Sequence, residues 1–436
     1  MQGAKLTEER IIAKGHGTAW LLLSAAIAVG VPAILLSWTI KLTGGPYLEP
    51  WIGSFIFGAG IVGAAFLLAW GAEVAQLDIS QALALALVAL VAVLPEYAVD
   101  IYLAWQAGAD PSSAYTSLVT ANLTGGNRLI VGFGWPLVVL LFWLKRREPV
   151  ALGRDVSTDM VLLVVGALFS LSMVFTGSIA LWHAALLFPL FGLYAWLSSR
   201  AEQHEPDLVG PPKAIAALGT GKRRVAVVLM FLFAIGVILL SVELFAEGLI
   251  ATGKEFGIDE FILIQWLAPL ASESPEMLVA GYFALRGNPG AALFMLISAT
   301  VNQWSLLVGS LPIAYSLAHG SPAALPLTSG PAIELLGYVM HRQQVELLLT
   351  MAQTIFAVAL VLRLRVSWRE MALLLGLFVG QLVSSGTGYR AIFALLFLGM
   401  AGSLLLGDGQ RRAGIAGVST YFWHTIRGGQ KPPGSG

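Results

Sequence analysis

Apolar runs of about 20 residues, each long enough to cross a bilayer, alternate along the chain with short polar connections. The pattern predicts twelve spans, at residues 17–40, 51–76, 80–105, 113–144, 157–176, 180–198, 225–252, 260–286, 290–317, 344–362, 369–384 and 390–407. The fourth is too long for one straight helix, and breaks are expected at Thr124–Asn127 and at Pro136. Positive residues cluster in alternate connections: Lys5/Arg10/Lys14, Lys145/Arg146/Arg147/Arg154, Lys213/Lys222/Arg223/Arg224, Arg363/Arg365/Arg369 and Arg411/Arg412. An even span count with this bias predicts cytoplasmic N- and C-termini; the expected location is a plasma (inner) membrane. The expected fold is an all-α polytopic membrane protein.

The polar positions inside the spans carry a repeat. Placing "VLPEYAVDIYLAW" (93–105) over "ESPEMLVAGYFAL" (273–285) superposes Pro95 and Glu96 on Pro275 and Glu276, and Tyr102 on Tyr282. The same offset superposes Thr120 and Asn122 on Thr300 and Asn302, so Glu and Asn stand 26 residues apart in both copies. Each copy has five crossings, and an odd number forces opposite topology. The domain reading is therefore a leading tail and extra helix (1–50), a first inverted repeat (51–198), a cytoplasmic linker (199–224) and a second repeat (225–384). An extra helix and a disordered Gly/Pro-rich tail follow (385–436). Inverted repeats with polar, proline-broken helices are a signature of secondary transporters.

Composition sharpens this picture. The 436 residues are 57% hydrophobic and 11% charged, against roughly 25% charged in soluble domains. Formal net charge is zero, so no global field attracts nucleic acid, and the absence of cysteine excludes thiolate metal sites. Carboxylates in hydrocarbon are costly and mark ion paths, and Glu96, Glu276, Asn122 and Asn302 all fall near mid-span. Pro95 and Pro275 each free the carbonyl four residues back, at Val91 and Ala271. Glu, Asn, hydroxyl and carbonyl oxygens are hard donors, suited to calcium and sodium. Glu273, three residues before Glu276, adds a second acid on nearly the same face, which favours a divalent ion or competition between metal and protons. Bland roles stay open beside these: helix capping for the glutamates, interhelical hydrogen bonds for the asparagines, and bonding back to helix carbonyls for Thr120 and Thr300.

Twice-occurring Pro-Glu followed by an Asn-bearing helix resembles the cation/calcium exchanger superfamily (the sodium/calcium exchanger membrane-region family), whose two repeats carry "GTSLPE" and "GSN-I-x-N". The resemblance covers roughly residues 51 to 384. It implies that Glu96 and Glu276 are acidic ion ligands, with Asn122 and Asn302 as the second ligand of each repeat. Ser272 falls on the motif threonine, and Ser298 on the serine four before the ligand Asn. The chain departs from the motifs at Ala92, Val93 and Leu118, where hydroxyls are lost, and at Glu273, which stands at a serine position. Arg128, deep in a span, needs a carboxylate partner, with Asp100 the first choice and Glu73 and Glu96 the others.

The expected function is secondary-active antiport of a cation, Ca2+ against H+ or Na+. Its partners are inorganic cations and the bilayer, no cofactor is expected, and the metal ion is cargo. The alternatives are a Na+/H+ exchanger, an intramembrane enzyme using buried carboxylates, and a scaffold that does not transport.

Overall fold

The computed structural model describes residues 2–45, 48–79, 94–199, 208–335, 337–384 and 386–427, with side chains from Gly17 onward. The start of the third predicted span (80–93), part of the linker (200–207) and the predicted disordered tail (428–436) lie outside the described residues. Among the described residues, the secondary structure is helical apart from six strands of two to four residues.

Among the described residues, nine helices are long and apolar enough to cross a membrane: Gly17–Thr43, Pro50–Ala75, Tyr115–Arg146, Val156–Thr176, Leu181–Ser198, Thr220–Phe256, Pro289–His319, Arg342–Val361 and Thr387–Gly407. The other three predicted spans are also helical, as Leu94–Ala109, Glu260–Arg286 and Trp368–Val383. Glu260–Arg286 falls short on composition because it carries Glu273, Glu276, Gln265 and two prolines. Trp368–Val383, at 16 residues, falls short on length.

The chain folds as two compact units, Met1–Val99 with Glu202–Leu263, and Asp100–Ala201 with Ile264–Gly436. Each unit takes helices from both halves of the sequence.

In the first unit, Pro50–Ala75 packs against Gln2–Thr43 and Thr220–Phe256. Small residues allow close approach, the usual device where lipid supplies no hydrophobic drive between helices. A Cβ on Gly63 would stand 2.6 Å from the Ala26 carbonyl oxygen. Thr220–Phe256 has 37 residues, about 55 Å at 1.5 Å per residue. It outruns the hydrocarbon layer of about 30 Å, which is why its ends are polar (Lys222–Arg224 and Lys254–Glu255). Arg223 forks onto Asp78 through Nε (2.8 Å) and Nη2 (2.7 Å). These hydrogen bonds hold the Asp78 carboxyl below the usual carboxylate range.

The second unit is built on Arg342–Val361, whose apolar window is 94% buried. It packs on Thr387–Gly407, Val156–Thr176 and Tyr115–Leu129. A stripe of amides along it ties neighbouring helices by their backbone: Gln343 donates to Thr116 O (3.1 Å), Gln344 to Val174 O (2.6 Å) and Gln353 to Arg128 O (3.0 Å). Strand Val150–Ala151 pairs with Arg365–Val366, and Ser178–Ile179 with Leu325–Pro326, both antiparallel. Ala332–Leu335 and Tyr338–His341 form a hairpin.

The breaks expected in the fourth span are absent. Tyr115–Leu129 runs helical through Thr124–Asn127, passes a π-helical turn at Ile130–Gly134, and continues as Trp135–Arg146. Pro136 sits just after the widened turn, where a missing N–H costs little. The second half repeats the device as Pro289–Asn302, a π turn at Gln303–Leu307 and Val308–His319, with the turn directly after the repeat asparagine.

Gly125 has a packing role instead. Pro269 lies inside Glu260–Arg286 and cannot donate to the Gln265 carbonyl. The Gly125 backbone comes so close to that oxygen that a Cβ would stand only 1.8 Å from it. Gly125→Ala is therefore expected to lower stability by about 1–3 kcal/mol, the usual cost of overpacking. Gly192→Ala, with nothing within 4 Å, should leave the thermal midpoint in detergent unchanged. Equal midpoints for the two variants would contradict this contact.

Beyond the last span, where only a tail was expected, Gly409–Ile426 is helical and N-capped by Asp408. Buried Arg411 explains its anchoring. Its guanidinium donates to the carbonyls of Ala359 and Leu360 at the end of the central helix and pairs with Glu370 and Asp408.

Candidate cation-binding site

The candidate residues sit on four helical segments. Glu96 and Asp100 share Leu94–Ala109, one turn apart, so they share a face. Asn122 is on Tyr115–Leu129, Ser272, Glu273 and Glu276 on Glu260–Arg286, and Ser298 and Asn302 on Pro289–Asn302. Glu96 belongs to the first compact unit and all the others to the second.

Glu96, Asp100, Asn122, Glu273, Ser272 and Asn302 are all buried. Glu276 is half-buried, with Oε2 enclosed. The Pro-Glu helix of the second half is continuous through Pro275, so that proline frees a carbonyl without opening the helix. In each half, a second acid on the Pro-Glu helix reaches an amide on the following helix. Glu273 Oε1 accepts from Gln303 Nε2 at 2.7 Å. The Asp100 carboxylate is enclosed, with the Asn122 side chain as its hydrogen-bond partner. Asn122 Oδ1, Thr120 Oγ1 and Glu276 Oε2 are enclosed without a hydrogen-bond partner among the described residues. Enclosed polar atoms of this kind are rare and costly. All are hard oxygens, and among the described residues no group of three His, Cys, Asp or Glu forms a metal cluster. The oxygen set fits an alkaline-earth or alkali cation held by mixed carboxylate, amide and hydroxyl ligands.

The hydroxyls behave less like ligands. Thr300 Oγ1 donates to the Leu296 carbonyl (2.8 Å), and Ser272 Oγ to the carbonyls of Ala268 (3.3 Å) and Pro269 (3.4 Å). Ser298 donates to the Asp159 carboxylate on Val156–Thr176.

Arg128 does not pair with Asp100. Its Nη2 lies 2.7 Å from Glu346 Oε2, its Nε donates to Thr124 O (3.1 Å), and its guanidinium lies 5.1 Å from the Trp266 ring centroid. The other Glu346 oxygen pairs with Arg390. Gln265 joins the cluster, donating to Glu346 Oε2 (3.1 Å) and accepting from Arg390 Nη1 (2.8 Å). Arg128 therefore does not offset the charge of the candidate ligands. Glu346 and Arg390 were missed in the sequence although a signal was present: each is a charge in or at the edge of an apolar run, and such charges need partners.

The sequence profile of the family described as "Sodium/calcium exchanger protein" matches residues 49–200 and 226–386. The chain belongs to this family, and it is a membrane transporter rather than an enzyme. A solved structure described as the H+/Ca2+ exchanger CAX is 37% identical, with a TM-score of 0.85; the match covers 94% of this chain and 99% of that one. The Ca2+/H+ antiporter protein YfkE, 14% identical, has a TM-score of 0.54 and coverages of 86% and 98%. The sodium-calcium exchanger NCX_Mj, also 14% identical, has a TM-score of 0.51 and coverages of 78% and 100%. These two likenesses concern the fold. No curated protein matches the chain in a sequence comparison.

Proposed function

We propose that the chain is a secondary-active antiporter that moves Ca2+ across the membrane in exchange for H+. The observation that carries this reading is the pair of enclosed oxygens on Glu276 and Asn122 that have no donor among the described residues, in a chain 37% identical to an H+/Ca2+ exchanger. Glu96 and Glu276 are the acidic ligands and Asn122 and Asn302 their polar companions. Residues 51–198 and 225–384 act as the two inverted halves, a division supported by the two separate stretches matched by the family profile. Both termini face the cytoplasm, as the positive clusters imply.

Protons rather than sodium are favoured as counter-ion by the state of the hydroxyls. Ala92, Val93 and Leu118 replace three of them, while Ser272 and Ser298 are bonded elsewhere. Proteoliposomes containing the full chain are expected to take up Ca2+ when a pH gradient is imposed, and to respond at most weakly to a sodium gradient. Uptake driven by sodium alone would replace the counter-ion in this account. Sodium–proton exchange without calcium movement would overturn it in favour of a monovalent exchanger.

A further inference from the structure

We infer that the stacked pair Trp143–Trp368, with the guanidinium groups of Arg147 and Arg369 lying over it and Arg365 on the adjoining strand, is a binding surface for the phosphate headgroup of an anionic phospholipid. The inference goes beyond the transport reading above and does not depend on which ion is carried.

The surface is assembled from two connections more than 200 residues apart in the sequence. Trp143 lies in the last turn of the span Tyr115–Arg146 and Arg147 directly follows it, while Trp368 and Arg369 open the helix Trp368–Val383. The antiparallel pairing of Val150–Ala151 with Arg365–Val366 holds the connections together, with Ala151 opposite Arg365. The indoles of Trp143 and Trp368 stack with centroids 4.5 Å apart and planes 26° apart. Each carries a guanidinium: Arg147 lies 4.2 Å from the Trp143 ring centroid, and Arg369 lies 5.7 Å from that of Trp368. Tryptophan at the end of a spanning helix sits at headgroup level, so the cluster stands at the depth of lipid phosphates.

Charge argues for an anion. The two connections expose Lys145, Arg146, Arg147, Arg154, Arg365 and Arg369. Nearby acids are committed elsewhere: Glu370 pairs with Arg411, and Asp408 with Arg363 and Arg411. Glu148 and Asp155 are the exposed acids of these connections, two against six cations. A guanidinium over an indole keeps its N–H fork for another acceptor, and phosphate matches that fork bidentately. Arg147 ends its helix in the left-handed conformation, with φ 60°, where glycine would be less strained. The arginine is what places a cation over Trp143. The basic cluster of the first unit differs, because Arg223 and Arg224 are both paired with Asp78.

The test uses purified full-length protein in detergent micelles. Thermal midpoints are followed as phosphatidylglycerol, phosphatidylcholine or free glycerol 1-phosphate is added, for wild type, Arg147→Gln/Arg369→Gln and Lys213→Gln/Lys222→Gln. Both double variants remove two exposed positive charges. Phosphatidylglycerol is expected to raise the wild-type midpoint, as any ligand of the folded state does, and phosphatidylcholine to leave it unchanged. Arg147→Gln/Arg369→Gln should keep its lipid-free midpoint and need about tenfold more phosphatidylglycerol for the same rise, since each basic residue beside anionic headgroups contributes several-fold. Lys213→Gln/Lys222→Gln should titrate like wild type. Arg369→Gln alone should show a several-fold shift if the double variant does not fold. Equal shifts in the two double variants would overturn the surface in favour of diffuse attraction. A rise from glycerol 1-phosphate as large as that from phosphatidylglycerol would overturn the lipid in favour of a soluble phosphate, and phosphatidylglycerol acting no better than phosphatidylcholine would end the proposal.

Discussion

Glu346→Gln is expected to destabilise the protein by about 3–5 kcal/mol, the cost of breaking a buried ion pair from one side. Glu346 is 0% exposed and sits between two guanidinium groups, Arg128 and Arg390. The amide keeps the shape of the side chain but removes a carboxylate paired with both. Two buried positive charges would then share one site, with Gln265 and backbone carbonyls as their remaining acceptors. Removing one arginine is milder in this account, because Arg128→Leu leaves a one-to-one pair of Glu346 and Arg390. The order is checked by thermal unfolding in detergent, followed by size-exclusion chromatography. A Glu346→Gln protein as stable as Arg128→Leu would show that the cluster does not hold these helices together.

Glu276→Gln and Glu96→Gln are each expected to reduce calcium uptake into proteoliposomes by about 100-fold or more. Truncating one partner of a buried charge pair costs about 2–5 kcal/mol, and each 1.4 kcal/mol is tenfold in an equilibrium. The substitution preserves volume and removes only the charge, so the folded state should be retained; the enclosed Oε2 of Glu276 has no protein donor among the described residues to lose. Ser272→Ala is the contrast. Its hydroxyl bonds back to its own helix, and uptake should stay within about threefold of wild type, the scale of one neutral hydrogen bond. A large loss in Ser272→Ala with none in Glu276→Gln would invert the ligand assignment.

The helices were legible in the sequence because apolar length is a local property. The repeat was legible because Pro-Glu and Thr-x-Asn recur at one offset without a gap. The exceptions are instructive. Glu260–Arg286 is helical yet fails as a purely apolar span, because the residues that would bind a cation are the ones that lower its hydropathy. The partner of Arg128 was misread because spacing reports neighbours within a helix, whereas Glu346 reaches Arg128 from a helix more than 200 residues away in the sequence. That pairing depends on how helices are rotated against one another. The π turns escaped for a related reason: an extra residue in a helical turn is set by packing, and the two copies place it differently. Gly125 looked like a breaker beside Gly126, but a close neighbour, the freed Gln265 carbonyl, makes it a contact point. Among the candidate ligands, residue type was readable, whereas the engagement of Ser298 by Asp159 and of Glu273 by Gln303 required coordinates.

Equilibrium binding of calcium to the purified full-length protein tests the central claim most directly. If buried acids from both halves hold one cation, wild type binds a single calcium per chain, and Glu96→Gln and Glu276→Gln each abolish that binding while remaining folded. Undiminished binding in either variant would contradict the account.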